Sequence, residues 1–255
     1  MLDGLRLVLV HTRFPENIGS AARACLNMGC RDLVLVAPER LDLERALPLA
    51  TVHAKDILTS ARVVGDLPEA LADCAAAYGT TARLGGWRQA VSTPRTLAAQ
   101  LAPRLESGER LALVFGPEDQ GLTNEETMIL DGLCSIPTAV EGTSLNLAQA
   151  VMVLLYECFE ARRRASSQPA SPAHPRHGLD HQEREALAAA LREALLAIGY
   201  LKEQNTDYWL LPVRRTLSRL DPTRAEFNML MGVCRQILWL AGKTGKAIRD
   251  TRETL

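Results

Sequence analysis

Short, continuous apolar runs alternate with longer amphipathic stretches through the first two thirds of the chain. Leu5-Arg6-Leu7-Val8-Leu9-Val10, Leu33-Val34-Leu35-Val36, Leu111-Ala112-Leu113-Val114-Phe115 and Leu133-Cys134-Ser135-Ile136 read as strands, with Ala75-Ala76-Ala77-Tyr78 a weaker fifth. Continuous rather than alternating hydrophobicity is the pattern of strands covered on both faces. Helices are expected between them. Residues 18–28 are amphipathic and stop at Gly29, a residue suited to a left-handed C-cap. Asp66-Leu67-Pro68 and Ser92-Thr93-Pro94 read as helix starts, and Thr123-Asn124-Glu125-Glu126 fits a capping box. A long helix with one apolar face is expected over 145–163. Strand and helix alternating in this way predict an α/β fold built on a parallel sheet.

The pattern then breaks. Residues 165–175 are polar, proline-rich and aperiodic, the composition of an exposed linker. Beyond it only helical periodicity is found, best over 182–198 and 226–241, the latter begun by Asp221-Pro222-Thr223. The expected organisation is an α/β domain over 1–164, a linker over 165–178 and a small all-α domain over 179–255.

Composition narrows the classes. Hydrophobic residues make up 47% of the 255, enough for a substantial core, and no run approaches the length of a membrane span. Met1-Leu2-Asp3-Gly4 lacks the charged region of a signal peptide, so a cytoplasmic location with no membrane partner is expected. The six cysteines form no CxxC pair and have no histidine cluster beside them. Buried, reduced thiols are expected, and no structural metal. The net charge of −1 argues against a uniformly basic coat but leaves room for a local nucleic-acid patch.

In open parallel sheets, ligands bind beyond the carboxyl ends of the strands. Four segments occupy such places: 14–23, with Gly19 at the helix entrance and Arg23 one turn on; Gly79-Thr80-Thr81-Ala82-Arg83; 115–123, where two glycines bracket Glu118; and 136–148, where Gly142-Thr143-Ser144 feeds a long helix. In the last, Thr143 or Ser144 is expected to cap the helix, whose backbone donors could meet an electron-rich ligand. Taken singly, each segment equally fits a plain turn, a surface arginine or an N-cap. Neither a phosphate-cradling Gly-Lys-Ser/Thr loop nor a GxGxxG fingerprint is present.

The combination is more specific than its parts. Asn17-Ile18-Gly19 with Arg23, then 113–118 with Gly121-Leu122, then Ile136-Pro137 with 144–151, resemble in order the three motifs of SpoU-type enzymes in the SPOUT superfamily of RNA 2′-O-methyltransferases. The similarity spans residues 5–160. Asn228-Met229-Leu230-Met231-Gly232, after Arg214-Arg215 and Asp221-Pro222, resembles the helical tail of the branch that methylates the tRNA anticodon loop.

The resemblance implies a parallel-sheet domain with a C-terminal trefoil knot, a feature folding rules alone would not suggest. It further implies a homodimer whose shared active site binds S-adenosylmethionine. The cofactor residues would be Thr80, Thr81, Ala82, Gly116, Ile136, Thr143, Ser144 and Leu145. Arg23 and Ser144 would be catalytic. Asn17, Arg23, Glu118, Asn146, Arg214 and Arg215 would meet RNA, although Glu118 also suits a bracing role. Arg219 and Arg224, with Tyr208 and Trp209, extend the tail's arginine cluster, which equally fits a solvated helix face over core aromatics. The implied substrate is tRNA, with cytidine or uridine methylated at the first anticodon-loop nucleotide, conventionally position 32. Alternatives are ribosomal RNA, another tRNA position, or a non-catalytic RNA-binding protein on the same scaffold.

Overall fold

The computed structural model describes residues 1–83, 91–139, 144–166, 179–201, 206–220 and 222–252, excepting the side chains of 166, 206–209, 218–219 and 244–252. Contacts divide the chain into Met1–Pro175 and Arg176–Leu255.

The first unit is an α/β layer structure. Its sheet has the order β3-β2-β1-β6-β4-β7-β5, from β1 (Leu5–Val10), β2 (Asp32–Val36), β3 (Arg62–Val64), β4 (Ala76–Thr80), β5 (Val91–Ser92), β6 (Leu111–Phe115) and β7 (Gly132–Cys134). Every paired neighbour is parallel. The central strands β1 and β6 are buried along their whole length. Leu5, Leu7 and Leu9 face one core and Val8 and Val10 the other, as the two-residue pleat requires. Both faces are therefore dry, which is why these strands read as unbroken apolar runs. β3 and β5 were not anticipated, since three and two residues are too few to carry a periodic signal.

The helices here are α1 (Pro15–Met28), α2 (Leu43–Thr59), α3 (Leu67–Leu71), α4 (Pro94–Glu106), α5 (Asn124–Met128) and α6 (Leu147–Ser166). Local signals govern their ends. Gly29 closes α1 in the left-handed region at φ 72°. Asp66 and Thr93 cap α3 and α4, and Thr123 with Glu126 completes a capping box on α5. α2 escaped the sequence reading because it contains Pro48 and a break at Thr51, φ 61°. It lies close against α1 at Gly19, where a Cβ would stand 2.0 Å from the carbonyl oxygen of Ala46.

On the second face Arg6 enters the core, 2% exposed. Its guanidinium donates to Asp32 at 2.8 Å, to the Ala70 carbonyl at 2.7 Å and to Asp73 at 2.6 Å, so the buried charge is paired and hydrogen-bonded. All six cysteines are free and buried. Burial pushes the Cys134 and Cys158 thiols up to about 12 and Cys74 to about 11, keeping them neutral.

The second unit consists of α7 (His181–Ala197), α8 (Thr206–Leu220) and α9 (Arg224–Arg252), around Leu179, Leu187 and Leu217. Asp180 and Glu183 form the capping box of α7. Residues 167–178 of the expected linker lie outside the described residues, as does Asp221 of the expected α9 start; Thr223 exchanges hydrogen bonds with Glu226 there. The path of the implied knot depends on 84–90 and 140–143, which also lie outside them.

Candidate active site

The carboxyl ends of β4, β6 and β7 open into a cavity of about 580 Å³. Thr80, Thr81 and Ala82 form one wall, Gly116 to Asp119 with Leu122 a second, and Ile136, Ser144 and Leu145 a third. Seven of the eight residues expected to hold the cofactor thus share one cavity, although they come from three loops. The eighth, Thr143, lies outside the described residues. Phe115, Leu147 and Ala150, inside the candidate segments or motifs but outside the expected cofactor set, also line it, as does Cys134, which none of them contained. Their apolar character is the only signal, and core residues share it.

Each wall has a local cause. Gly116 lets the third loop fold back on itself: a Cβ there would stand 2.3 Å from the amide nitrogen of Leu122 and 2.4 Å from the carbonyl carbon of Gly121. Thr81 continues the ladder past β4 by donating its N–H to the Cys134 carbonyl at 2.9 Å. Arg83 ends this segment. Its guanidinium donates to the carbonyls of Gln120 at 2.6 Å and Leu122 at 3.1 Å, tying the loop after β4 to the loop after β6.

A chain of hydrogen bonds joins the three motifs beside the cavity. Glu118 accepts from the Asn17 amide at 2.7 Å and from the backbone N–H of Arg13 at 3.1 Å and of Phe14 at 3.4 Å. Asn17 in turn accepts from the Asn146 amide at 3.0 Å. Glu118 therefore braces the loop before α1, a job that its acceptor-only carboxylate suits. The expected cap of α6 needs correction. Thr143 lies outside the described residues, and α6 begins at Leu147, two residues beyond the position that Ser144 would cap. The Asn146 side chain accepts from the N–H of Ala148 at 2.9 Å and of Gln149 at 3.4 Å, so those donors are already satisfied.

Arg23 is exposed on α1, makes no hydrogen bond or ion pair among the described residues and does not line the cavity. In the helical unit Arg214 is ion-paired with Glu185 and Arg224 with Glu183, and Arg224 also stacks over Phe227 at 5.6 Å. Arg215 lies on α8, half-buried. The side chains of Tyr208, Trp209 and Arg219 are outside the described ones.

The chemistry of the lining suits an organic cation with an apolar part. Phe115, Leu122, Leu145 and Leu147 supply nonpolar surface, Thr80, Thr81 and Ser144 supply hydroxyls, and Glu118 and Asp119 supply negative charge against the pinned Arg83. Among the described residues no His/Cys/Asp/Glu group could hold a metal ion, and no helix is long and apolar enough to cross a membrane.

Comparison with known proteins gives the family. The model of the SpoU rRNA Methylase family matches residues 4–156. The chain is 39% identical over 240 residues to the tRNA (cytidine/uridine/adenosine-2′-O-)-methyltransferase TrmJ of Pseudomonas aeruginosa, covering 91% of this chain and 93% of that one. It is 35% identical to the tRNA (cytidine/uridine-2′-O-)-methyltransferase TrmJ of Escherichia coli K12, covering 93% and 96%. The crystal structure of TrmJ from Z. mobilis ZM4 superposes with a TM-score of 0.75 at 32% identity, over 91% of this chain and 98% of that one. The chain belongs to the SpoU rRNA methylase family and stands among its TrmJ-type members.

Proposed function

We propose that the protein transfers a methyl group from S-adenosylmethionine to a ribose 2′-oxygen of tRNA, at cytidine or uridine in the first position of the anticodon loop. The observation that carries this reading is the convergence of Thr80, Thr81, Ala82, Gly116, Ile136, Ser144 and Leu145 on one cavity of suitable size and polarity. The cited relatives, named as tRNA 2′-O-methyltransferases, supply the substrate class.

The cofactor offers a methyl group on a positively charged sulfur, already activated for displacement. The protein has to hold that group, align the 2′-oxygen with it and help a proton leave. Thr80, Thr81 and the backbone around Gly116 and Ile136 are assigned to its nucleoside part, and Ser144 to its polar end or to the reacting oxygen. Asn17 and Asn146, locked to each other and to Glu118, hold the loop edges against which the ribose would sit.

Arg23 is assigned to the target phosphate. A guanidinium stays protonated far above neutral pH, so Arg23 is unsuited to act as a base. It lowers the 2′-hydroxyl pKa electrostatically, and phosphate or water takes the proton. Because Arg23 does not line the cavity of its own chain, it is proposed to reach the cavity of a second copy, in a homodimer joined across α1 and α6. In the helical unit, Arg214 and Arg215 are proposed as tRNA-backbone contacts, with Arg214 exchanging Glu185 for phosphate.

The test is to incubate the protein with bulk tRNA and labelled S-adenosylmethionine and map the modified nucleotide by mass spectrometry. A 2′-O-methyl group at the first anticodon-loop nucleotide is expected. Labelling of ribosomal RNA alone, or of no RNA, overturns the reading.

A further inference from the structure

Beside the methyl-transfer cavity lies a smaller one of about 310 Å³, lined by Arg13, Phe14, Pro15, Glu39, Arg40 and Arg45. Its walls come from the turn after β1, the loop after β2 and the first turn of α2, at the carboxyl edge of the sheet. It adjoins the larger cavity through one residue. The backbone N–H of Arg13 donates to Glu118 and its guanidinium donates to Asp119 at 2.5 Å, and both acidic residues line the larger cavity.

Two side chains here are exposed without a polar or ionic partner among the described residues. Phe14 is the N-cap residue of α1, a position where an oxygen-bearing side chain is preferred, and it makes no capping hydrogen bond. The chain has only four phenylalanines, yet this one is 52% exposed. The second is Arg40. Arg13 is neutralised by Glu39 and Asp119, and Arg45 by Glu16. Arg40 is exposed and has no hydrogen bond or ion pair among the described residues. An unopposed guanidinium beside an exposed aromatic ring matches the chemistry of a nucleotide: charge for the phosphate and a π-face for an unstacked base.

We propose that this cavity is a second nucleotide subsite, in which Arg40 holds a phosphate of the substrate RNA and Phe14 stacks one base next to the nucleotide being methylated. The proposal rests on the methyl-transfer reading for the identity of the strand. Arg13 and Glu118 couple the subsite to the reaction cavity. A base seated on Phe14 therefore fixes the register of its neighbour, and Glu39 at the rim can accept from a base amino group.

The test measures binding of a labelled tRNA transcript by the full-length protein across a salt series. Phe14→Ala weakens binding by about fivefold to a hundredfold, the range for losing one base–aromatic stack, and Phe14→Tyr restores it. Arg40→Gln flattens the slope of log affinity against log salt by about 0.7, the loss of one single-strand phosphate contact. S-adenosylmethionine affinity stays at the unsubstituted value in both. Wild-type affinity and slope in both variants overturn the subsite, as does loss of S-adenosylmethionine binding, which marks a structural role. If the unsubstituted protein binds ribosomal RNA fragments and not tRNA, the substrate reading falls alone, and the same comparison on that RNA decides the subsite. If it binds neither, both fall.

Discussion

The Asn146 amide donates to the Asn17 side-chain oxygen at 3.0 Å, across 129 residues of sequence. Asn17 passes the link on to Glu118. One bond thus ties the helix after β1 to the helix after β7, and its partner ties both to the loop after β6. Two amides and a carboxylate hold three loops in register at the mouth of the cavity, and each loop supplies or abuts residues of the site.

That linkage predicts coupling. In a double-mutant cycle of Asn17→Ala and Asn146→Ala, followed by urea unfolding, the interaction energy should be about 0.5–1.5 kcal/mol, the net value of a partly buried hydrogen bond. Strictly additive losses would mean that the two amides meet without stabilising the loops.

Gly116→Ala puts a methyl group into backbone at 2.3 Å, where no flexible side-chain end can yield. The third loop must move, at about 1–3 kcal/mol. S-adenosylmethionine binding, measured by calorimetry, should weaken by about tenfold or more. Unaltered affinity would remove this loop from the cofactor site.

Arg23→Ala should leave folding and cofactor binding in place and lower methyl transfer about 100- to 1000-fold, the usual loss for one positioned group stabilising a developing oxyanion. Arg23→Lys should rescue little, because a point charge cannot replace a planar fork on phosphate. Mixing the Arg23→Ala protein with Ser144→Ala protein should restore part of the activity that neither has alone. Failure of the mixture to recover, with subunit exchange demonstrated, would place Arg23 and the cavity it serves in one chain.

Cleavage within 166–175 should leave a catalytic unit that binds S-adenosylmethionine with the affinity of the intact protein while its KM for tRNA rises by about tenfold or more. Turnover of tRNA at the intact rate would strip the helical unit of a substrate role.

Acid should act on the Arg6 network. Burial alone would raise the Asp73 pKa, but hydrogen bonds and charge attraction from Arg6, then Arg110, outweigh it and bring the carboxyl down to about 2. An unfolded aspartate titrates near about 3.9. The folded value is the lower one, so this stabilisation is present above about pH 4 and is lost as pH falls toward about 2. Half of the Asp73 side chain meets solvent, which screens the effect. Asp73→Asn should lower Tm at neutral pH and flatten its fall between pH about 4 and about 2. An acid limb parallel to that of the unsubstituted protein would show that other carboxylates control it.

The central strands were legible in the sequence because burial on both faces leaves only apolar residues there, as in β1 and β6. Gly29, Asp66, Thr93 and Thr123 were legible as helix ends because capping is local chemistry, complete within about four residues. The ordered motifs likewise contain Gly116, Ile136, Ser144 and Leu145, which line the large cavity, while Thr80, Thr81 and Ala82 were picked out by their place after a strand. Their pairings were not legible. Nothing near Asn17 announces Glu118 or Asn146, since those hydrogen bonds exist only once the sheet order β1-β6-β4-β7 has brought the loops together. The same holds for the cap of α6. Ser144 and Asn146 are both capable acceptors, and it is Asn146 that receives the first amides of the helix. Arg23 and Arg214 look alike in sequence, but only the fold leaves the first without a partner among the described residues and pairs the second with Glu185. Strands and helix caps can be read from the chain alone, because both depend on local polarity and backbone preference. The tertiary structure alone decided which of them meet, because hydrogen bonds and ion pairs fall off within a few ångströms and long-range contact is a property of topology.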